Sequence, residues 1–255
     1  MIPKVSICVL TYGDYPHLAR QTLDSIRMHC PRSAYHLIVG ANTVGNESLD
    51  YLKGQEASGA IDRLIVSPVN INKCPMMRRM FEMVQTEFIW WFDDDSYITE
   101  PTAFARWMKH TLAAPPSIAM WGEAAYCRSK WGFTDMDDIV AFVRTAEWYR
   151  GLPPPAWYAG GKGEFNYRNL GCGDGRWIFI VGGCWLIRTS AIRALDWPDK
   201  RLIKLGDDVF LGEALRQHGW QIANIGTPGV AINTEARRGD KGSYRPAAPF
   251  SYSAT

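Results

Sequence analysis

A chain of 255 residues that is 47% apolar and 21% charged can bury a full core and is not a disordered polypeptide. Its formal net charge of +2 excludes a protein that grips nucleic acid by bulk charge, while leaving room for a local basic patch. The six cysteines form no CxxC pair and no zinc-finger spacing, which points to reduced thiols rather than a disulfide or zinc framework.

Met1 leads within a few residues into a strand-like apolar run, so no signal peptide is expected. No stretch reaches the roughly 20 apolar residues that cross a bilayer. The expected location is the cytoplasm, of a bacterium or of a phage-infected host. Residues 5–10 (Val-Ser-Ile-Cys-Val-Leu) are continuously apolar enough for a buried parallel strand. Gly13 and Pro16 end it, and Asp14 is the expected N-cap of a helix carrying Ala19, Leu23, Ile26 and Cys30, stopped by Pro31. A second strand at 36–40 exits through a polar loop at 42–46. A short helix near 49–53, a strand at 63–66, a helix at 76–84 and a buried strand at 87–92 follow. This alternation predicts an α/β fold with a doubly wound, mostly parallel sheet, whose ligands gather outside the carboxyl ends of the strands. The loops at 11–14, 41–46, 67–75 and 93–97 are therefore the places to look.

The second half reads as helix at 102–112, strand at 118–122 and helix at 137–149. Residues 151–175 are rich in Gly and Pro with interspersed aromatics, a pattern expected of a lid or binding loop. Strand returns at 177–187 and helix at 210–218, ending at Gly219; the tail from Ala236 is basic, polar and expected to be flexible. Most of the eleven tryptophans are expected to be packing residues.

Three constellations carry chemistry. In Trp91-Phe92-Asp93-Asp94-Asp95-Ser96-Tyr97, three adjacent carboxylates repel one another, and a fold that gathers them at a buried strand end normally holds a cation there. Their oxygens suit Mg²⁺ or Mn²⁺. The alternative is a solvated acidic turn, but the position directly after an apolar strand favours the metal. In Gly206-Asp207-Asp208-Val209, two acids open a helix, where they serve either as a general base or as an N-cap pair. In Val181-Gly182-Gly183-Cys184-Trp185, paired glycines within a strand signal either close approach of a ligand or a bulge.

Together these residues resemble the family-2 glycosyltransferases of GT-A fold, over nearly the whole chain. The opening run and its Thr-Tyr-Gly loop are similar to that family's first strand and loop, which places Thr11 and Tyr12 against the nucleobase. Asn42 falls where the family usually has an Asp that binds the base. Asn70-Ile71-Asn72-Lys73 lies where the family has Asn-x-Gly, and Arg78-Arg79 where it has Arg-Asn. The acidic run matches the DxD motif, which implies Asp95 as metal ligand, Asp93 near the ribose or metal, and Asp94 on the donor side. Gly182 and Gly183 resemble the acceptor-side strand, set against the donor with Trp185 toward the acceptor. Gly-Asp-Asp-Val matches the Glu-Asp motif, implying Asp208, with Asp207 beside it, as catalytic base. The wording is also similar to Fringe-like and β-1,3-galactosyltransferases, which share the fold and invert the anomeric centre. The late His that many relatives supply to the metal has no counterpart after His218, and Asn233 falls near its place.

The resemblance implies one GT-A domain over 1–235, with a nucleotide-sugar half at 1–100, an acceptor half at 101–235, and the tail at 236–255. It implies metal-dependent, inverting transfer from a nucleotide-diphosphate-sugar, first a UDP-sugar, to a hydroxyl acceptor, first a saccharide. Lys73 and Arg78 are candidates to hold diphosphate oxygens. Trp157, Tyr158 and Trp177 are candidates to stack on the acceptor, and the tail is a candidate lid. The alternative acceptor is a hydroxylated base in DNA, suggested by Lys162, Arg168, Arg176, Arg237, Arg238 and Lys241 among aromatics. A non-catalytic binding module would have lost one acidic constellation. A nucleotidyltransferase would show a Gly-rich phosphate loop after the first strand, and Leu-Thr-Tyr-Gly-Asp is not one.

Overall fold

The first apolar run forms β1 (Val5–Gly13), and both of its faces are covered. Val5, Ile7 and Val9 pack with Leu23 and Ile26 of α1 (Pro16–His29), while Cys8 and Leu10 pack with Met76, Met77 and Met80 of α3 (Lys73–Glu82). The strand β4 (Phe88–Asp93) repeats this division. Phe88, Trp90 and Phe92 face Trp107 of α4 (Ala103–Leu112), and Ile89 and Trp91 face α3. A strand between two helical layers must be apolar at every position, which is why these runs show no alternation. The computed structural model of the chain describes residues 4–126, 178–200, 202 and 207–233.

With β2 (Tyr35–Val44), α2 (Asn46–Ala57) and β3 (Arg63–Ser67), the first half makes three strand–helix–strand crossovers. The second half adds β6 (Ile118–Tyr126), β7 (Ile178–Arg188) and β8 (Gln221–Asn224) to a seven-stranded sheet of order β3-β2-β1-β4-β7-β6-β8. β1 to β4 run parallel, β7 runs antiparallel to both β4 and β6, and β6 is parallel to β8. A two-stranded ribbon, β5 (Ser96–Ile98) with β9 (Val230–Ile232), closes over the exit of β4. The helices α5 (Thr189–Ala194) and α6 (Asp207–Gln217) complete the described α-helices.

Several expectations are corrected here. The cap of α1 is Tyr15 with Pro16 in the first turn and no side-chain cap bond; Asp14 instead lies against Gly45, where a Cβ would come within 1.9 Å of its Oδ1. The helix near 49–53 extends over Asn46–Ala57, and α3 begins at Lys73, which brings that lysine into its first turn. β5, β8, β9 and α5 are too short to leave a periodic signal. Trp90, Trp91, Trp107, Trp121, Trp185 and Trp197 are buried, and Cys8, Cys30, Cys74 and Cys184 are free, buried thiols. Among the described residues, no helix is long and apolar enough to cross a membrane. The helix expected at 137–149, the irregular segment 151–175 and the tail lie outside the described residues.

Candidate active site

Register brings the carboxyl ends of the parallel strands level: Leu10 lies opposite Asp93, Tyr12 opposite Asn42, and Asn42 opposite Ser67. At this edge most side chains expected to touch a nucleobase are bonded to the protein itself. Thr11 is buried and its hydroxyl donates to Gly40 O at 3.1 Å. The Asn42 amide donates to Asn70 Oδ1 at 3.2 Å and accepts from Ile71 N at 3.0 Å. Tyr12 is half-buried, and its N–H donates to Asp94 Oδ2 at 3.1 Å. That bond explains the middle acid of the run. Asp94 is buried and turned inward, and its carbonyl, with that of Ser96, accepts from Thr22 Oγ1 at 2.9 Å. Expected on the donor side, Asp94 is placed inward, where it ties the β1 loop and α1 to the acidic run.

The outer acids face the crevice with Lys73. Its Nζ lies 3.1 Å from Asp207 Oδ2 and 3.3 Å from Asp93 Oδ2, and 5.9 Å from the centre of the Trp91 ring. Burial disfavours the ammonium, but Asp207, Asp93 and Asp208 together outweigh it and raise the lysine's pKa. Trp91 Nε1 donates to the other Asp93 oxygen at 3.0 Å. Asp95 is pushed up to about 6 by burial first and by the Asp93 charge second. Its carbonyl accepts from Asn233 N at 2.8 Å, so Asn233 arrives beside Asp95 through the β5–β9 ribbon.

Asp208 is pushed up to about 7 by burial and then by Asp207, with Lys73 and the Val209 N–H, 2.9 Å from Oδ1, acting in the opposite sense. Gly182 borders this pair: a Cβ there would lie 3.5 Å from both Asp208 Oδ2 and Lys73 Nζ. Gly183 points elsewhere, where a Cβ would lie 2.8 Å from Ile232 Cγ2, and its carbonyl accepts from Ser96 Oγ at 2.9 Å. Between β6 and β7 the register jumps from Gly122↔Trp185 to Ala124↔Ile180, so the glycines sit in extra residues of β7. The register thus shows the bulge reading of this pair, and the bulge leaves Gly182 without a side chain beside Asp208.

Among the described residues, no three His, Cys, Asp or Glu side chains converge as a complete metal cage. Asp93 and Asp95 are two hard oxygen donors whose mutual repulsion a cation would relieve. They fit an ion such as Mg²⁺ or Mn²⁺, which takes one or two carboxylates and completes its shell with phosphates and water.

Two expected site residues are placed elsewhere. Arg78 turns to the 196–198 turn, where Nη1 donates to Asp196 O at 3.0 Å and Pro198 O at 2.6 Å and Nη2 pairs with Asp196 Oδ1. Trp185 is buried and stacked on Trp91, ring centres 5.6 Å apart and 11° from parallel, so it fills the core rather than facing an acceptor. Trp157, Tyr158 and Trp177 lie outside the described residues. Gly212 and Asn70 stand within the motifs read from the sequence, which gave neither residue a role of its own. At Gly212, in α6, a Cβ would come within 2.2 Å of Ile178 O, so only glycine lets the helix bearing Asp207 and Asp208 press onto β7. The signal available for it was a glycine inside a helical pattern, four residues after the acids.

The family model described as glycosyltransferase like family 2 matches residues 3–245. The chain belongs to this family. No protein of curated function matches it by sequence. Solved structures share its fold. The mannosyltransferase PcManGT of Pyrobaculum calidifontis, in complex with GDP-Man and Mn²⁺, superposes with a TM-score of 0.57 at 12% identity, over 89% of this chain and 55% of that one. Residues 1–349 of S. aureus TarS, in complex with UDP, give 0.52 at 13% identity, over 87% and 57%. Glucosyl-3-phosphoglycerate synthase of Mycobacterium tuberculosis, in complex with Mn²⁺, UDP and glucosyl-3-phosphoglycerate, gives 0.52 at 12% identity, over 90% and 72%. The chain spans just over half the length of the first two. The expected α/β architecture is thus the GT-A fold.

Proposed function

We propose that the chain catalyses inverting, metal-dependent transfer of a sugar from a nucleotide-diphosphate-sugar, a UDP-sugar in the first instance, to a saccharide hydroxyl. One observation carries this reading: two acidic groups far apart in sequence, one ending β4 and one opening α6, meet on the single ammonium of Lys73. A binding module that had shed its chemistry would have no need to keep both groups in contact.

A divalent ion held by Asp93 and Asp95 would supply positive charge against the diphosphate as it departs. Lys73 would donate hydrogen bonds to diphosphate oxygens from the same side. Asp208, beside the gap at Gly182, would accept the proton of the acceptor hydroxyl. The freed oxygen pair then bonds to the anomeric carbon as the bond from that carbon to the diphosphate oxygen breaks on the opposite face. The proton ends on Asp208, the electron pair on the nucleoside diphosphate, and the anomeric configuration is inverted. The GDP-Man and UDP bound by proteins of the same fold support a nucleotide-linked donor. The basic residues that suggested a nucleic-acid acceptor lie outside the described residues, and no observation favours that acceptor over a saccharide.

The test is a screen of sugar nucleotides for binding and hydrolysis, with and without Mn²⁺, on wild type and Asp95→Ala. Wild type should hydrolyse at least one donor in Mn²⁺, and Asp95→Ala should lose most of the metal-dependent rate. A wild-type protein that neither binds nor hydrolyses any donor in the presence of metal sinks the reading.

A further inference from the structure

The chain enters α3 through an unusual backbone. Asn72 has φ +69° and ψ 173°, a region that glycine occupies freely and other residues only under strain. Its side chain makes no cap hydrogen bond, so its neighbours must impose the conformation. Asn70 is placed to do so. Asn70 Oδ1 accepts from Asn72 N at 2.8 Å and from Asn42 Nδ2 at 3.2 Å, while Asn42 Oδ1 accepts from Ile71 N at 3.0 Å. Asn42 and Asn70 are only 2% and 7% exposed, so water does not replace a lost partner. The residue directly after the strained position is Lys73. A change of direction at Asn72 would be carried along that side chain and open its 3.1 and 3.3 Å contacts to Asp207 and Asp93.

We propose that Asn70 is a positioning residue for sugar transfer: with Asn42 it fixes the left-handed backbone of Asn72 and thereby sets Lys73 between Asp93 and Asp207. The inference rests on the transferase reading of this crevice and deepens it. It links the loop beside Asn42, at the nucleotide end, to the acids that act at the anomeric carbon. Asn70 touches no reacting atom; its effect passes through Lys73.

The experiment is a double-mutant cycle between Asn70→Ala and Lys73→Met, with Asn70→Asp as the conservative variant, reading kcat/KM for the donor in Mn²⁺ and the Tm of each protein. Alone, Asn70→Ala should lower kcat/KM about tenfold or more, and in the Lys73→Met background by less than about twofold. Asn70→Asp keeps an oxygen for both Asn42 and Asn72 and should stay within about threefold of wild type. A merely structural role would lower Tm in both backgrounds and leave the two losses of kcat/KM multiplicative, which would overturn the proposal. So would an Asn70→Ala protein as active as wild type. Should the alanine variant not fold, a tenfold loss in Asn70→Asp at unchanged Tm overturns it equally. A wild type inert toward every donor removes the transferase reading and this inference with it, whereas failure of the cycle in an active enzyme removes the inference alone.

Discussion

Asp207 and Asp208 are adjacent in sequence and differently placed in space. The carboxylate of Asp207 pairs with Lys73, while Asp208 is half-buried beside the gap at Gly182 with its pKa raised to about 7. A general base works as the carboxylate, so in the proposed role protonation of Asp208 would switch it off. The expected profile of kcat/KM rises with pH through about 7 and levels above it, since that parameter reports the free enzyme. Asp208→Asn should lower turnover by about 10²–10⁴ while donor affinity, measured by calorimetry, stays nearly unchanged. Its amide oxygen can still accept from Val209 N, so the start of α6 has no reason to move. Full activity in this variant would pass the role to Asp207 or to another group. These acids were legible in the sequence because each cluster is a local pattern at the edge of a periodic segment. The directions of Asp94, Arg78 and Trp185 were not legible. Each depends on a partner remote in sequence, respectively Tyr12, Asp196 and Trp91, that only packing supplies.

At the scale of elements, the site depends on how closely α6 lies on β7. Gly212→Ala would place a Cβ within 2.2 Å of Ile178 O and 2.9 Å of Phe179 Cα, backbone atoms that cannot rotate away. The helix must shift and carry both acids with it. We expect a loss of about 1–3 kcal/mol in denaturant unfolding, together with a fall in turnover. Gly54→Ala gives the opposite sign, because Gly54 lies exposed in α2 with nothing within 4 Å of a new Cβ. There the better helix former should stabilise by about 0.5–1 kcal/mol with no change in turnover. Loss of activity in both, or in neither, would detach α6 packing from function. Two other helices show what a sequence conveys about elements. The apolar period announced α1 and α3, and buried runs announced β1 and β4, since both signals are made within the element. The β5–β9 ribbon left no such signal, and the paired glycines of β7 offered a bulge only as one of two readings. A bulge is defined by the register of a partner strand, and three-residue strands are held by what they pair with.

Across the whole molecule, the crossovers of the first half and the antiparallel β7 of the second bring their acids to one edge of a single sheet, and this costs stability when the acids ionise. Asp95 and Asp208 are raised to about 6 and about 7, against 3.8 for the unperturbed group. The folded protein therefore binds protons more tightly than the unfolded chain between roughly pH 4 and 7. The stability these protons contribute is fully present below about pH 4 and is lost as pH rises through 6 and then 7. A divalent ion at the proposed site of Asp93 and Asp95 would compete with the Asp95 proton and bind the folded state. Added Mn²⁺ should accordingly raise Tm more at pH 8 than at pH 5. Asp95→Asn isolates the contribution: it should flatten the part of the metal-free slope between about pH 4 and 6 and abolish most of the Mn²⁺ gain at pH 8. Thermal scans of both proteins at the two pH values, with and without Mn²⁺, decide the matter without any assay of transfer. An equal Mn²⁺ shift in wild type and Asp95→Asn would remove Asp95 from the metal site and leave Asp93 as its only carboxylate from the acidic run.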